Sequence, residues 1–242
     1  AEAAPVVQAV AKGAKVKAFR VYMDESPSGL ASLTPHLTPE SVAGKTIAAS
    51  LTDSARVVLP ILYHLKGLPP SRLSWLSVDP SVYFPVLLQG RAELVTASLD
   101  SDVPTLKRIA DPRGITVYFS SFADWGYDVF GYFLVTRADR ISSNPNEVRS
   151  FAEATTRSVN YAIEHPEEAA RILVRHNPTL DYELVLAQWR LSIETIDTPF
   201  VKANGYGSAN EERLERCIEL VKRAFALEGD LAPADVYAGV SN

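Results

Sequence analysis

The sequence predicts a mixed α/β fold, and three observations support this prediction. Up to about residue 136, short apolar strands alternate with short helices, as in a largely parallel sheet flanked by helices. From Asn144 onward the pattern is almost entirely helical. The 242 residues, of which 47% are hydrophobic, are sufficient for one large domain or two smaller ones. No repeat or low-complexity linker separates two parts, so strands must cross any lobe boundary.

The first half of the chain begins with a strand whose apolar and polar side chains alternate, at residues 16–22. Residues 24–29 then read as a polar loop. Thr38 and Pro39 mark the start of a short helix that Gly44 ends. Thr52 or Asp53 caps the next helix. Further strands are predicted at residues 46–50, 73–78, 94–98, 116–119 and 132–136, and further helices at residues 53–65, 81–89 and 103–109.

Four helices are predicted in the second half. Asn144 and Pro145 begin a long amphipathic helix that ends before Pro166, where a second helix starts. Asp181 begins the third. Ser208 and Glu211 have the spacing of a capping box ahead of a fourth helix at residues 211–227. We expect the single cysteine, Cys217, to be a buried thiol on the apolar face of that helix.

Charge and motif searches exclude several classes of function. The formal net charge of −5 gives no basic surface for a nucleic acid. Gly44-Lys45-Thr46 lacks the earlier glycine of a phosphate-binding loop, because position 39 is proline. The four histidines show no metal-ligand spacing, and no nucleophile elbow occurs. No apolar stretch approaches the roughly 20 residues that span a bilayer, and no secretory signal is visible.

Polar and aromatic side chains concentrate in four loops, most of which follow predicted strands. In open α/β sheets, ligands bind beyond the carboxyl ends of the strands, and helix N-termini offer free N–H groups there. Hydroxyls beside large aromatic rings suit a small polar or aromatic solute. Structural roles stay open for the same residues, since Thr52 and Asp53 also suit caps and Trp125 also suits a core. The candidate ligand-binding residues are Ser26, Ser28, Ser50, Thr52, Asp53, Ser54, Ser98, Asp100, Asp124, Trp125 and Tyr127.

Several stretches together resemble the NMT1/THI5-like and SsuA-like solute-binding proteins. No single motif is diagnostic, and the order and spacing of the stretches over essentially the whole chain carry the resemblance. The stretches are residues 14–18 leading to residues 26–29, residues 37–47, 87–93 and 122–128, and Asn144-Pro145 followed by residues 161–170 and by Asn177-Pro178.

The resemblance implies a two-lobed fold of the type II periplasmic-binding-protein kind, with mixed, mostly parallel sheets and a helical C-terminal part. One lobe would hold about residues 1–35 and 122–242, and the other about residues 36–121. A small solute of sulfonate, carboxylate or pyrimidine type would bind between the lobes and pass to the permease of an ABC importer. The resemblance also implies a periplasmic or cell-surface-anchored protein without cofactor, metal or catalytic residues, and we expect a monomer that binds no nucleic acid.

Proteins of this kind normally begin with a strand, a helix and another strand that the given sequence does not contain, and we expect that segment to supply further cleft residues. Two alternatives stay open. Relatives of this fold include a pyrimidine synthase and a sulfinate desulfinase, which call for a cysteine-rich motif or a reactive cysteine. A ligand-sensing regulatory module would instead carry a helix-turn-helix.

Overall fold

The structure is a computed structural model that describes residues 1–239. The chain divides into two compact units, one comprising Ala1–Ser26 with Asp128–Asn242 and the other comprising Pro27–Tyr127. We refer to them as the first and second unit. Within the described residues, no helix combines the length and apolar character that a membrane crossing requires. The predicted mixed α/β class is confirmed.

The second unit contains a five-stranded sheet in the order β4-β3-β5-β2-β6. β3 is parallel to β4 and β5, whereas β2 is antiparallel to both β5 and β6. Four strands therefore point in one direction and β2 points in the other. Its elements are β2 (Ser28–Ser32), α2 (Pro39–Val42), β3 (Thr46–Ala49), α3 (Ala55–Leu65), β4 (Ser74–Ser77), α4 (Tyr83–Leu88), β5 (Leu94–Ser98), α5 (Asp102–Ala110) and β6 (Tyr118–Ser121).

Burial of small and branched apolar side chains holds this sheet against its helices. Ala48 and Val95 on neighbouring strands are fully buried, and Leu87 and Leu106 pack on them from α4 and α5. Each buried valine or leucine side chain of this kind contributes about 1.5–3 kcal/mol when it leaves water. Two of the helices that alternate with the strands, α4 and α5, therefore pack on one face of this sheet.

The first unit is mainly helical around a two-stranded antiparallel sheet, in which Val16 pairs with Arg137 and Met23 with Tyr132. The predicted long helix is confirmed, with Pro145 at its first position. The elements of this unit are α1 (Ala3–Ala11), β1 (Val16–Met23), β7 (Tyr132–Arg137), α6 (Ala138–Ser143), α7 (Pro145–Glu164), α8 (Pro166–His176), α9 (Tyr182–Ile196), α10 (Pro199–Asn204), α11 (Glu211–Ala224) and α12 (Pro233–Val236).

Two features of the structure differ from the sequence-based expectation. Residues 28–32, expected to begin in a loop, form β2, whose insertion makes antiparallel pairings more frequent than predicted. Asn210, not Ser208, caps α11, because the side-chain Oδ1 of Asn210 accepts the Arg213 N–H at 3.0 Å. The Ser208 hydroxyl instead donates to the Asn204 carbonyl.

The boundaries of the two units also differ from the expected lobes of about residues 1–35 with 122–242 and about 36–121. The chain passes between the units after Ser26 and after Tyr127. The physical reason at the first boundary is β2, which pairs with β5 and β6 and therefore belongs to the second unit. Residues 240–242 of the expected first lobe lie outside the described residues.

Candidate functional site

Each strand of the five-stranded sheet carries a serine at the same edge. β4, β5 and β6 end there, β3 ends one residue before its serine, and β2, which runs in the opposite direction, begins there. The strand directions therefore bring the four candidate ligand loops, which are separate in the sequence, to the same edge of the sheet. We call this the serine edge, and its serines are Ser28, Ser50, Ser77, Ser98 and Ser121.

The Asp53 carboxylate accepts three hydrogen bonds at the serine edge. Its Oδ2 accepts hydrogen bonds from the Thr96 hydroxyl at 2.7 Å and from the Tyr83 hydroxyl at 3.0 Å. Its Oδ1 accepts the N–H of Ala55 at 2.9 Å, at the start of α3. Tyr83 also accepts the backbone N–H of Ser50. Asp53 therefore fastens the loop after β3 to α4 and β5, which is a structural role that the sequence had left open.

Arg56 holds the carbonyl side of the same loop. Its Nε donates to the Ser50 carbonyl at 2.6 Å, and its Nη2 donates to the Ala49 carbonyl at 3.1 Å and to the Ser77 hydroxyl at 2.7 Å. The guanidinium also lies over the Trp75 ring, 4.8 Å from its centroid, in cation–π geometry. Arg56 thus links the ends of β3 and β4 and fixes the direction in which the loop leaves the sheet.

The end of β5 is held by two further carboxylates. The Ser98 hydroxyl donates to Asp100 at 2.6 Å, and the Ser98 N–H donates to Asp102 at 2.8 Å. Burial is the main cause that raises the pKa of Asp102, and the carboxylates of Asp100 and Asp53 act in the same direction. The hydrogen bond from Ser98 opposes this shift. The serine edge is therefore an environment rich in hydroxyl and carboxylate oxygens.

The aromatic residues after β6 lie inside the second unit. Trp125 is 6% exposed and Tyr127 is 4% exposed, and the Trp125 ring packs on Phe122 with centroids 5.9 Å apart. Phe122 in turn donates its N–H to the Ser28 carbonyl at 3.0 Å, which ties this segment to the start of β2. Stacking of Trp125 on a solute stays a prediction, whereas its packing in the core is observed.

The eleven predicted residues fall into three groups by exposure. Ten belong to the second unit, and Ser26 is the last residue of the first unit's opening segment. Sequence reasoning missed Tyr83, Arg56 and Thr96, which lie inside predicted helices or a strand and carried no signal. Ser77 and Ser121 follow the same strand-end pattern as Ser98 and could have been found. The exposed residues are Thr52, Ser54 and Asp124; the half-buried ones are Ser26, Ser28, Ser50, Asp53, Ser98 and Asp100; the buried ones are Trp125 and Tyr127.

The side chains that metal or thiol chemistry would require do not come together in the described part of the chain. No group of three or more His, Cys, Asp or Glu side chains there could hold a metal ion. Cys217 is fully buried on α11 beside Ile218, as predicted, and burial raises the pKa of its thiol to about 11. At neutral pH this thiol is protonated and is therefore a poor nucleophile.

Comparison with known proteins gives one family and a set of similar folds. The family model described as NMT1/THI5 like matches residues 1–169. No curated protein matches the sequence. The periplasmic aliphatic sulphonate-binding protein SsuA from Escherichia coli is 12% identical with a TM-score of 0.68, and the match covers 99% of this chain and 74% of that one.

Two more solved structures have a similar fold. The alkanesulfonate-binding protein SsuA from Xanthomonas axonopodis pv. citri, bound to MOPS, is 14% identical with a TM-score of 0.64, over 99% of this chain and 79% of that one. The ligand-binding component of an ABC-type import system from Staphylococcus aureus, with zinc bound, is 13% identical with a TM-score of 0.64, over 97% and 76%. These structural neighbours are transport binding proteins rather than enzymes.

Proposed function

The chain belongs to the NMT1/THI5-like family, and from this premise we propose that it is the solute-binding component of an ABC importer. The observation that carries the proposal is the serine edge, where four predicted ligand loops meet at one end of a single sheet. Ligands of open α/β sheets bind at such carboxyl ends. The similar folds of ABC import proteins support the same function.

We propose that the second unit contributes the serine edge to the solute site. Thr52 and Ser54 are exposed there, and Ser54 makes no side-chain bond to the helix that it caps. The Ser54 hydroxyl is therefore available to a ligand. The Thr52 hydroxyl lies 3.5 Å from the Ser50 hydroxyl and keeps a further lone pair for a ligand. Asp53 and Arg56 hold the loop in position. A small polar solute of sulfonate, carboxylate or pyrimidine type fits hydroxyl donors and acceptors of this kind.

The function predicts binding without turnover. A thermal-shift screen of the 242-residue chain with MOPS, benzoate and cytosine represents the three solute classes. One class should raise the melting temperature in a saturable way, because a ligand at 100 times its Kd stabilises the folded state by about 2.7 kcal/mol. If none of the three stabilises the protein and one is instead converted to a product, the proposal is wrong.

Variants connect the binding to the serine edge. Thr52→Ala and Ser54→Ala should each reduce the ligand-induced rise in melting temperature while leaving the melting temperature of the free protein within about 2 °C, because neither side chain is buried. Ser158→Ala is the matched control, since Ser158 is an exposed serine on α7 of the first unit. An equal effect of all three variants would refute the assignment of the edge.

An enzyme on the same scaffold is the weaker alternative. The desulfinase version needs a reactive cysteine, and Cys217 is fully buried with a protonated thiol at neutral pH. The regulatory version needs a nucleic-acid-binding segment, for which the net charge of −5 gives no support. We therefore propose a non-enzymatic, monomeric protein whose partners are its solute and an ABC permease, located in the periplasm or anchored at the cell surface.

A further inference from the structure

An ion-pair cluster surrounds Arg213, on α11 of the first unit. The side chain is only 11% exposed, and its guanidinium pairs with two aspartates that are about a hundred residues apart in sequence, Asp24 and Asp128. An arginine that is withdrawn from water to this degree is stabilised only when its charge is paired. Both aspartates lie beside the points where the chain passes between the units.

Asp24 belongs to the outgoing segment, residues 24–26, along which the chain leaves the first unit. It is 3% exposed and follows β1 directly, two residues before Ser26. Its Oδ1 lies 3.1 Å from Arg213 Nη1, as an ion pair rather than an aligned hydrogen bond, and its Oδ2 accepts the Thr198 hydroxyl at 2.6 Å. The next residue, Glu25, donates its N–H to the Thr195 carbonyl at 2.9 Å. Three contacts, to Arg213, Thr198 and Thr195, therefore hold this segment in the first unit.

Asp128 begins the returning segment, residues 128–131, which follows the second unit directly and leads into β7. Its Oδ1 accepts a hydrogen bond from Arg213 Nε and is contacted by Nη2, both at 2.8 Å. The guanidinium also lies 4.8 Å from the centroid of Phe130 and reaches the Val129 carbonyl at 3.4 Å. Arg213 therefore contacts three of the first residues of the returning segment.

The outgoing and returning segments also touch each other. The Gly131 N–H donates to the Met23 carbonyl at 3.0 Å, and Met23 pairs with Tyr132 at the end of the two-stranded sheet. A Cβ at position 131 would lie 2.6 Å from the Glu25 carbonyl oxygen. The backbones can approach this closely only because residue 131 is glycine. Arg213 thus acts on two segments that already lie side by side.

We propose that Arg213 is a positioning residue that clamps the outgoing and returning segments together and so limits the motion of the second unit relative to the first. The planar guanidinium suits this role because its forked donors engage two carboxylates at once, which a lysine ammonium does less well. The two aspartates of the clamp lie two residues before Ser26 and one residue after Tyr127, so the clamp also fixes the chain next to these two candidate ligand residues.

The experiment measures distances between the two units without any solute, so its outcome does not depend on the proposed function. Spin labels are placed at Lys107→Cys on α5 and Arg175→Cys on α8, both exposed, in a Cys217→Ala background. Double electron–electron resonance then gives the distribution of label distances. Arg213→Gln should add a population of distances outside the range of the background protein, and Arg213→Lys should show a smaller change.

Two further variants separate positioning from folding. Asp128→Asn keeps the buried Asp24 pair and removes the charge that pairs with Arg213 on the returning segment, whereas the Val129 and Phe130 contacts stay. It should therefore broaden the distribution, but less than Arg213→Gln does. Arg190→Gln removes an exposed ion pair of the same unit, Arg190 with Glu167 at 2.6 Å, and should leave the distribution unchanged. Equal distributions for Arg213→Gln and Arg190→Gln would overturn the clamp.

If Arg213→Gln does not fold, the double variant Asp24→Asn/Arg213→Met tests the proposal in its place. It removes the buried carboxylate charge together with the arginine, so neither charge is left unpaired in the interior. The double variant should fold, as judged by far-UV circular dichroism, and should show the same added distances. A folded double variant with the distance distribution of the background protein would refute the proposal.

Discussion

Replacement of Trp125 by alanine tests whether the segment after β6 belongs to the core or to the ligand site. A tryptophan buries roughly 150–250 Å², and Trp125 is only 6% exposed. The change to alanine removes roughly 150 Å² of buried apolar surface, which at about 25 cal/mol per Å² corresponds to about 4 kcal/mol. We therefore expect Trp125→Ala to lower the free energy of unfolding by about 3–5 kcal/mol in a urea titration followed by circular dichroism.

Trp75→Ala is the control for this measurement, because Trp75 is half-exposed on the edge strand β4. It should lower the free energy of unfolding by less than Trp125→Ala does, because part of its surface is already in water. A loss below about 1 kcal/mol for Trp125→Ala, together with weaker solute binding, would refute the reasoning. That result would mean that the indole faces the solute in the working protein.

Three other perturbations test separate parts of the structure. Cys217 should resist iodoacetamide at pH 8 in the folded protein. Its thiol should also lower the free energy of unfolding by about 2 kcal/mol between pH 9 and pH 11, because the unfolded thiol ionises in this range whereas the folded thiol stays protonated up to a pKa of about 11. Arg56→Ala should speed amide exchange at Thr52 and cost about 1–3 kcal/mol, because three oxygen atoms lose their donor. Gly29→Ala should cost at least about 3 kcal/mol or prevent folding, because its Cβ would lie 2.3 Å from the Ser120 carbonyl oxygen.

Each of these has an outcome that would contradict it. Rapid alkylation of Cys217 in the native protein would mean that α11 opens readily. Unchanged exchange at Thr52 would mean that Arg56 does not hold the loop. Gly126→Ala is the comparison for Gly29→Ala, since a Cβ there meets nothing within 4 Å and the cost is only that of its φ of +110°. A Gly29 variant no less stable than the Gly126 variant would count against the close backbone packing.

Local signals in the sequence were sufficient to predict most of the helices. Pro145 and Pro166 lie at the first positions of α7 and α8, and Thr38 accepts the N–H of Ser41 in a capping box. These signals act over three or four residues, so they can be read without knowing the fold. The strand β1 was also predicted, although its burial does not alternate, since the four consecutive residues 18–21 are all buried.

The features that the sequence did not reveal depend on distant partners. β2 has the sequence Ser-Gly-Leu-Ala-Ser, which lacks the branched and aromatic residues that mark strands, and its pairing with β5 and β6 creates it. The candidate loops were found because strand ends are recognisable from sequence. The Asp53–Tyr83 and Asp53–Thr96 bonds were not found, since they span 30 and 43 residues.

The position of β2 between β5 and β6 has a consequence for the protein during its synthesis. β2 emerges from the ribosome near residue 32, but its partner β5 is complete only at Ser98 and β6 only at Ser121. Because synthesis adds about 5–20 residues per second, roughly 3–13 seconds pass between the completion of β2 and that of β5. Its ladder groups are exposed for that time, and a chaperone that binds extended segments would find its earliest opportunity in this unit there.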